Sequence, residues 1–169
     1  MSDWVTPWDL ILTVPSIGRK THEEGRWRDC MDLDEEFITE FGKLSLEIQN
    51  NELQGKIQMF FRLIQPKVTQ NELAERFGVK NADIHAAMEN FKILDVAEET
   101  EENGLITYIF KGYSSEIREM VNLFPERQKR LEASVRALEQ LVDKAGAQGL
   151  NVEKHVSVIR DIKEDFGVG

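Results

Sequence analysis

The chain has 169 residues, 41% of them hydrophobic, and a net charge of −10. That length suits one domain, or a small domain with helical extensions, and the charge argues against broad attraction to nucleic acid or anionic lipid. No apolar run reaches the roughly 18 residues of a membrane span, no basic region precedes the first apolar stretch, and the single cysteine, Cys30, fits a reducing cytoplasm.

The first 33 residues read as a tryptophan-rich arm. Thr6, Pro7 and Asp9 start a short helix over 7–13, which Pro15 stops. The polar "GRKTHEEGRWR" (18–28) is a cationic loop. Trp4, Trp8 and Trp27 each need burial, against the body or a second subunit.

From residue 34 a helical period takes over. Phe37, Phe41, Leu44 and Ile48 form one stripe on a helix of 34–49, with Asp32 or Asp34 as its cap. Asn50 and Asn51 break it. Leu53, Ile57, Phe60 and Ile64 form the stripe of a second helix, ended before Pro66. Thr69 then caps a short helix with Leu73 and Phe77 inward, and Gly78 stops it. Three residues on, another helix carries Ile84, Ala87, Met88 and Phe91 inward, with Leu94 closing the stripe and Asp95 in the position where glycine is commoner. Asn103-Gly104 is a two-residue hairpin turn, and Ile106, Tyr108 and Phe110 alternate on one strand face. Helix, turn, helix and hairpin make a winged helix-turn-helix, placed with its leading helices in 34–112.

Residues 113–169 read as C-terminal dimerisation helices. A long helix over 115–143 carries Ile117, Met120, Phe124, Leu131, Val135, Leu138 and Val142, with Pro125 kinking it or starting a new one. "AGAQG" (145–149) is a hinge. The final helix, 151–166, has Val152, Val156, Ile159, Ile162 and Phe166 on its stripe. So much apolar surface predicts a homodimer, with Trp8, Phe37, Phe41, Leu131, Val135, Leu138, Val142 and Ile159 at its interface.

Catalysis finds no support. His22, His85 and His155 are far apart in sequence, and no phosphate loop or nucleophile motif is present. "MDLDEEF" (31–37) lacks the glycine and glutamate spacing of a calcium loop. Cys30 has acids at 29 and 32, which disfavour a reactive thiolate. No cofactor or metal is expected.

"EEFITEFGKL" (35–44), the pattern T-x-x-E-L-A-E-x-x-G-V at 69–79, the apolar Ile84, Met88 and Phe91, the hairpin and the long charged helix resemble the MarR superfamily of regulators, and within it the GbsR-like subgroup. The resemblance covers roughly 35 to 142. It implies a mainly helical homodimer that binds palindromic duplex DNA and answers to a small effector, here unidentified. Lys80, Asn81, Ala82 and His85 stand where the family's second helix contacts bases and phosphates, with Lys92 as a further phosphate contact. The chain departs from the pattern in charge. Residues 68–110 hold three cations against nine carboxylates, and the wing "EETEENG" lacks the family's arginine. Two functions stay open: a DNA-binding regulator, or a winged helix whose acidic face binds a basic protein or mimics DNA.

Overall fold

The computed structural model describes residues 33–45 and 51–169. The arm with Trp4, Trp8, Trp27 and Cys30, and the expected helix end at 46–49, lie outside the described residues. Helix α1 takes residues 33–45. It is followed by α2 (Glu52–Leu63), β1 (Lys67–Thr69), α3 (Gln70–Phe77), α4 (Asn81–Ile93), β2 (Ala97–Glu102), β3 (Leu105–Phe110), α5 (Ser115–Asn122), α6 (Pro125–Ala147) and α7 (Glu153–Phe166). The described chain is mainly helical, with one three-stranded antiparallel sheet in the order β1-β3-β2.

The local chemistry explains most boundaries. The Asn51 side chain accepts from the Gln54 backbone N–H at 3.0 Å and starts α2. Ile64 falls beyond the helix end and is 40% exposed, so it leaves the expected stripe that Ile57 and Phe60 keep. At the hairpin, Asn103 (φ 53°) and Gly104 (φ 75°) are both left-handed, as a two-residue turn between twisted strands requires. The strand β1 has no periodic signal of its own and was not anticipated; its three residues pair with β3, Val68 opposite Tyr108. Pro125 opens α6 at the first helical position rather than kinking one long helix. The hinge expected at 145–149 is narrower, because α6 runs to Ala147 and only Gly149 (φ 81°) takes the left-handed conformation.

The stripe expected on α7 is displaced. Val152 precedes the helix and Val156 is 49% exposed, while His155 and Val158 are buried beside Ile159, Ile162 and Phe166. The buried row 155, 158, 159, 162, 166 fits the 3.6-residue period better than the expected one.

One continuous core runs from α1 to α7. Phe37, Phe41, Leu131, Val135, Leu138, Val142 and Ile159, expected at a subunit interface, are all buried within the single chain. Helices α6 and α7 pack on each other, and α7 also packs on α2 and α5. The chain thus covers its own apolar stripes, and the surplus that motivated an interface at those seven positions is absent. Trp8 lies outside the described residues.

Two contacts fix α1. A Cβ placed on Gly55 of α2 would lie 2.3 Å from the Ser45 Cβ, so the helices cross where one has no side chain. Asp34, expected as a cap, instead faces α7. Its Oδ1 lies 2.7 Å from His155 Nε2 and its Oδ2 accepts from Lys154 Nζ at 2.8 Å. Burial pushes the Asp34 carboxyl up, but the hydrogen bonds from His155 and Lys154 outweigh it and hold the group below its ordinary value.

Gly55→Val is expected to lower the unfolding free energy by about 1–3 kcal/mol, through overpacking at the α1–α2 crossing; an unchanged urea midpoint would show that the helices do not approach so closely. The depressed Asp34 group gives stability that is present above its unfolded pKa of about 4 and is lost as pH falls through the lower folded value. The stability gap between the wild type and Asp34→Asn should therefore hold steady near neutral pH and narrow below about pH 4. Urea titrations across that range measure it.

Candidate nucleic-acid interface

The candidate site is the outward side of α4, with α3 behind it and the β2–β3 hairpin beside it. A reciprocal cap begins α3: the Glu72 N–H donates to Thr69 Oγ1 at 3.2 Å, and the Thr69 N–H donates to Glu72 Oε2 at 2.8 Å. Gly78 (φ 63°) ends it, and α4 follows after three residues. At the start of α4 the Lys80 N–H donates to Asp83 Oδ2 at 3.0 Å. Asp83 therefore holds a helix end and is not an idle repelling charge.

The two sides of α4 differ sharply. Ile84, Ala87, Met88 and Phe91 are buried, whereas Lys80, Asn81, Ala82, His85 and Ala86 are exposed. Behind the helix, buried Gln70 donates to the Tyr108 hydroxyl at 2.9 Å, which ties α3 to β3. Asn81 Nδ2 donates to Asn71 Oδ1 at 2.8 Å, so the Asn81 amide is oriented by α3. Lys80 has no ion pair among the described residues.

Lys92 sits apart from this row. Its Nζ lies 2.5 Å from Glu89 Oε1 and 2.9 Å from Glu99 Oε2. These two carboxylates, Glu89 first, push its pKa well above the ordinary lysine value. The ammonium is thus committed within the protein. Glu99 comes from β2, so only the fold reveals the second half of this clamp. His85 Nε2 approaches Glu89 at 3.6 Å. His85, Glu89 and Glu99 form a group whose donor atoms lie within 4.8 Å of one another. Lys92 already bonds both carboxylates there, and a metal ion would have to displace it.

Neighbouring cations are committed in the same way. Arg76 pairs with Glu35 of α1 and lies over the Phe60 ring at 5.8 Å; Lys67 pairs with Glu102 at 2.8 Å and Lys111 with Asp95 at 2.5 Å. Of the carboxylates, Glu72 and Asp83 serve as caps, and Glu89, Asp95, Glu99 and Glu102 are paired. Their mutual neutralisation leaves the outward row of α4 small, polar and close to uncharged, with Lys80 at its head.

No protein-family model matches the chain, and no curated protein matches it. One solved structure, "Crystal Structure of a transcriptional regulator", aligns over 79% of this chain and 95% of its own length, at 15% sequence identity and a TM-score of 0.47.

Asp83→Ala removes the acceptor of the Lys80 N–H and is expected to cost about 0.5–1 kcal/mol, as the loss of a helix cap does. Urea unfolding followed by circular dichroism measures the loss; a stability equal to the wild type would mean that the carboxylate does not hold the helix end.

Proposed function

We propose that the chain is a winged helix-turn-helix transcription regulator of MarR/GbsR-like kind, a cytoplasmic homodimer that sets α4 of each copy in the major groove of duplex DNA. The two-sidedness of α4 carries this reading: a buried apolar row anchors the helix, and an exposed row of Lys80, Asn81, Ala82, His85 and Ala86 is free to approach base edges. Asn81 has the donor and acceptor that pair with adenine, oriented by Asn71, and His85 offers a ring N–H to guanine. Lys80 supplies a phosphate contact. Lys92 takes no part until Glu89 or Glu99 releases it. In this reading residues 34–112 bind DNA, residues 113–169 contribute to the contact between copies, and a small effector is unidentified.

A second reading rests on a different observation. The edge strand β2 presents Glu98 and Glu101, which have no ion pair among the described residues, and the hairpin turn carries no cation. A carboxylate held within about 6 Å of a phosphate costs on the order of a kcal/mol. Such a wing suits a basic protein surface better than a minor groove.

Selection from random duplexes at low salt separates the two. A DNA reader should enrich a palindrome and lose affinity as salt rises. Lys80→Ala should then weaken every sequence and reduce the salt slope by about 1, while Asn81→Ala should relax preference at one base position. Absence of enrichment even at low salt overturns the DNA reading and leaves the acidic wing as the recognition surface.

A further inference from the structure

Two adjacent apolar residues stand exposed at the corner between α5 and α6. Leu123 is 74% exposed and Phe124 is 53% exposed. The corner carries two exposed cations: the Arg127 guanidinium lies over the Phe124 ring at 5.6 Å, and Lys129 follows two residues on. Glu126, itself exposed, lies 3.5 Å from Lys129.

A hollow whose rim carries more carboxylates than lysines lies between α1 and the far end of α6. Two adjoining concavities of about 280 and 310 Å³ share Glu36 and Leu141. Leu33, Leu141 and Leu150 give them an apolar floor, and Glu36 and Glu40 stand on the rim. Lys43 and Lys144 share that rim, but Lys43 reaches Glu40 only at 3.9 Å, and Glu36 has no ion pair among the described residues.

We propose that a second copy of this chain fills the hollow with its α5–α6 corner, Phe124 and Leu123 on the apolar floor and Arg127 and Lys129 against Glu36 and Glu40. Both features belong to α6, whose 1.5 Å rise per residue separates Phe124 from Leu141 by about 25 Å. Two copies with α6 antiparallel therefore make the contact twice, each corner in the other's hollow, as a two-fold interface requires. Local charge complementarity is what such a pair needs, since two chains of net charge −10 repel at long range. An aromatic anchor in a concave site with a charged rim is also the usual arrangement of an interface hot spot. The proposal rests on the homodimer reading and assigns it a surface away from the buried stripes.

Light scattering on the full chain tests it. The wild type should be a dimer, and Phe124→Asp combined with Leu123→Asp should be a monomer with unchanged circular dichroism. Arg127→Glu with Lys129→Glu should raise the dissociation constant by about tenfold or more, and adding Glu36→Lys and Glu40→Lys should restore it. A monomeric wild type overturns both this proposal and the homodimer reading. A dimer that survives the Phe124 and Leu123 changes, or a charge reversal without restoration, overturns this surface alone. The hollow then belongs to another occupant, the chain's own first 32 residues included.

Discussion

A buried guanidinium holds the outer half of this molecule in place. The Arg62 side chain is 7% exposed, and Asp165 near the end of α7 accepts from it at 2.5 Å. Arg118 of α5 bonds the other Asp165 oxygen at 3.0 Å. The same guanidinium lies over the rings of Phe110, at the end of β3, and Tyr113. A charge taken out of water must stay paired, and removing one partner of such a pair commonly costs about 3–5 kcal/mol. The pairing therefore specifies where α7 ends, how α5 leaves the sheet, and which way the base of the hairpin faces. Tyr113 shares the constraint: it packs edge-on against Phe166, and burial pushes its hydroxyl pKa above the ordinary range, with Arg62 opposing the rise and Asp165 adding to it.

The same rule of pairing shapes the candidate interface. The chain has 31 acidic residues and 21 Lys and Arg, and around α4 cations are spent on internal pairs before any partner arrives. Lys92 is the clearest case, gripped from α4 and from β2. Arg76 links α3 to α1 in the same manner. Surface pairs of this kind add little stability, typically about 0–1 kcal/mol each. Their larger consequence is for recognition: a cation already satisfied must break a pair to reach a phosphate, and a carboxylate already satisfied repels less. The outward row of α4 consequently offers shape and hydrogen-bonding groups more than charge, and Lys80 is its one cation without an ion pair among the described residues.

Much of the fold was legible in the sequence because the relevant signals are local. The Thr69–Glu72 cap, the Gly78 stop, the inward row from Ile84 to Phe91, the left-handed Asp95 and the Asn103-Gly104 turn each depend on residues within a few positions. What was not legible depends on distant partners. Three residues cannot announce β1, which exists because β3 offers it a ladder. The α7 stripe holds at Ile159, Ile162 and Phe166 but not at Val152 and Val156, because a periodic pattern does not say where a helix begins and a buried histidine is polar in any scale. His155 goes inside because Asp34, 121 positions away, accepts it. The interface expected from apolar stripes assumed that a small unit could not cover its own long helices, and α7 covers them by folding back.

That fold-back changes what the terminal helices are for. Seven apolar residues on α1, α6 and α7 are satisfied within one chain and belong to its own core. Among the described residues the large exposed apolar side chains lie mostly at the ends of elements: Ile64 past the end of α2, Ile93 at the end of α4, Leu105 and Ile106 at the hairpin, and Leu123 and Phe124 at the α5–α6 corner, with Val156 on the outer side of α7. Single exposed hydrophobics are ordinary, but adjacent ones beside committed or like charges mark a surface with a partner. In the proposed reading, recognition falls to ends and corners of a helical body. The body keeps its core within the chain, and α4 is carried at one end of it on a sheet whose geometry Tyr108, Phe110 and Arg62 jointly fix.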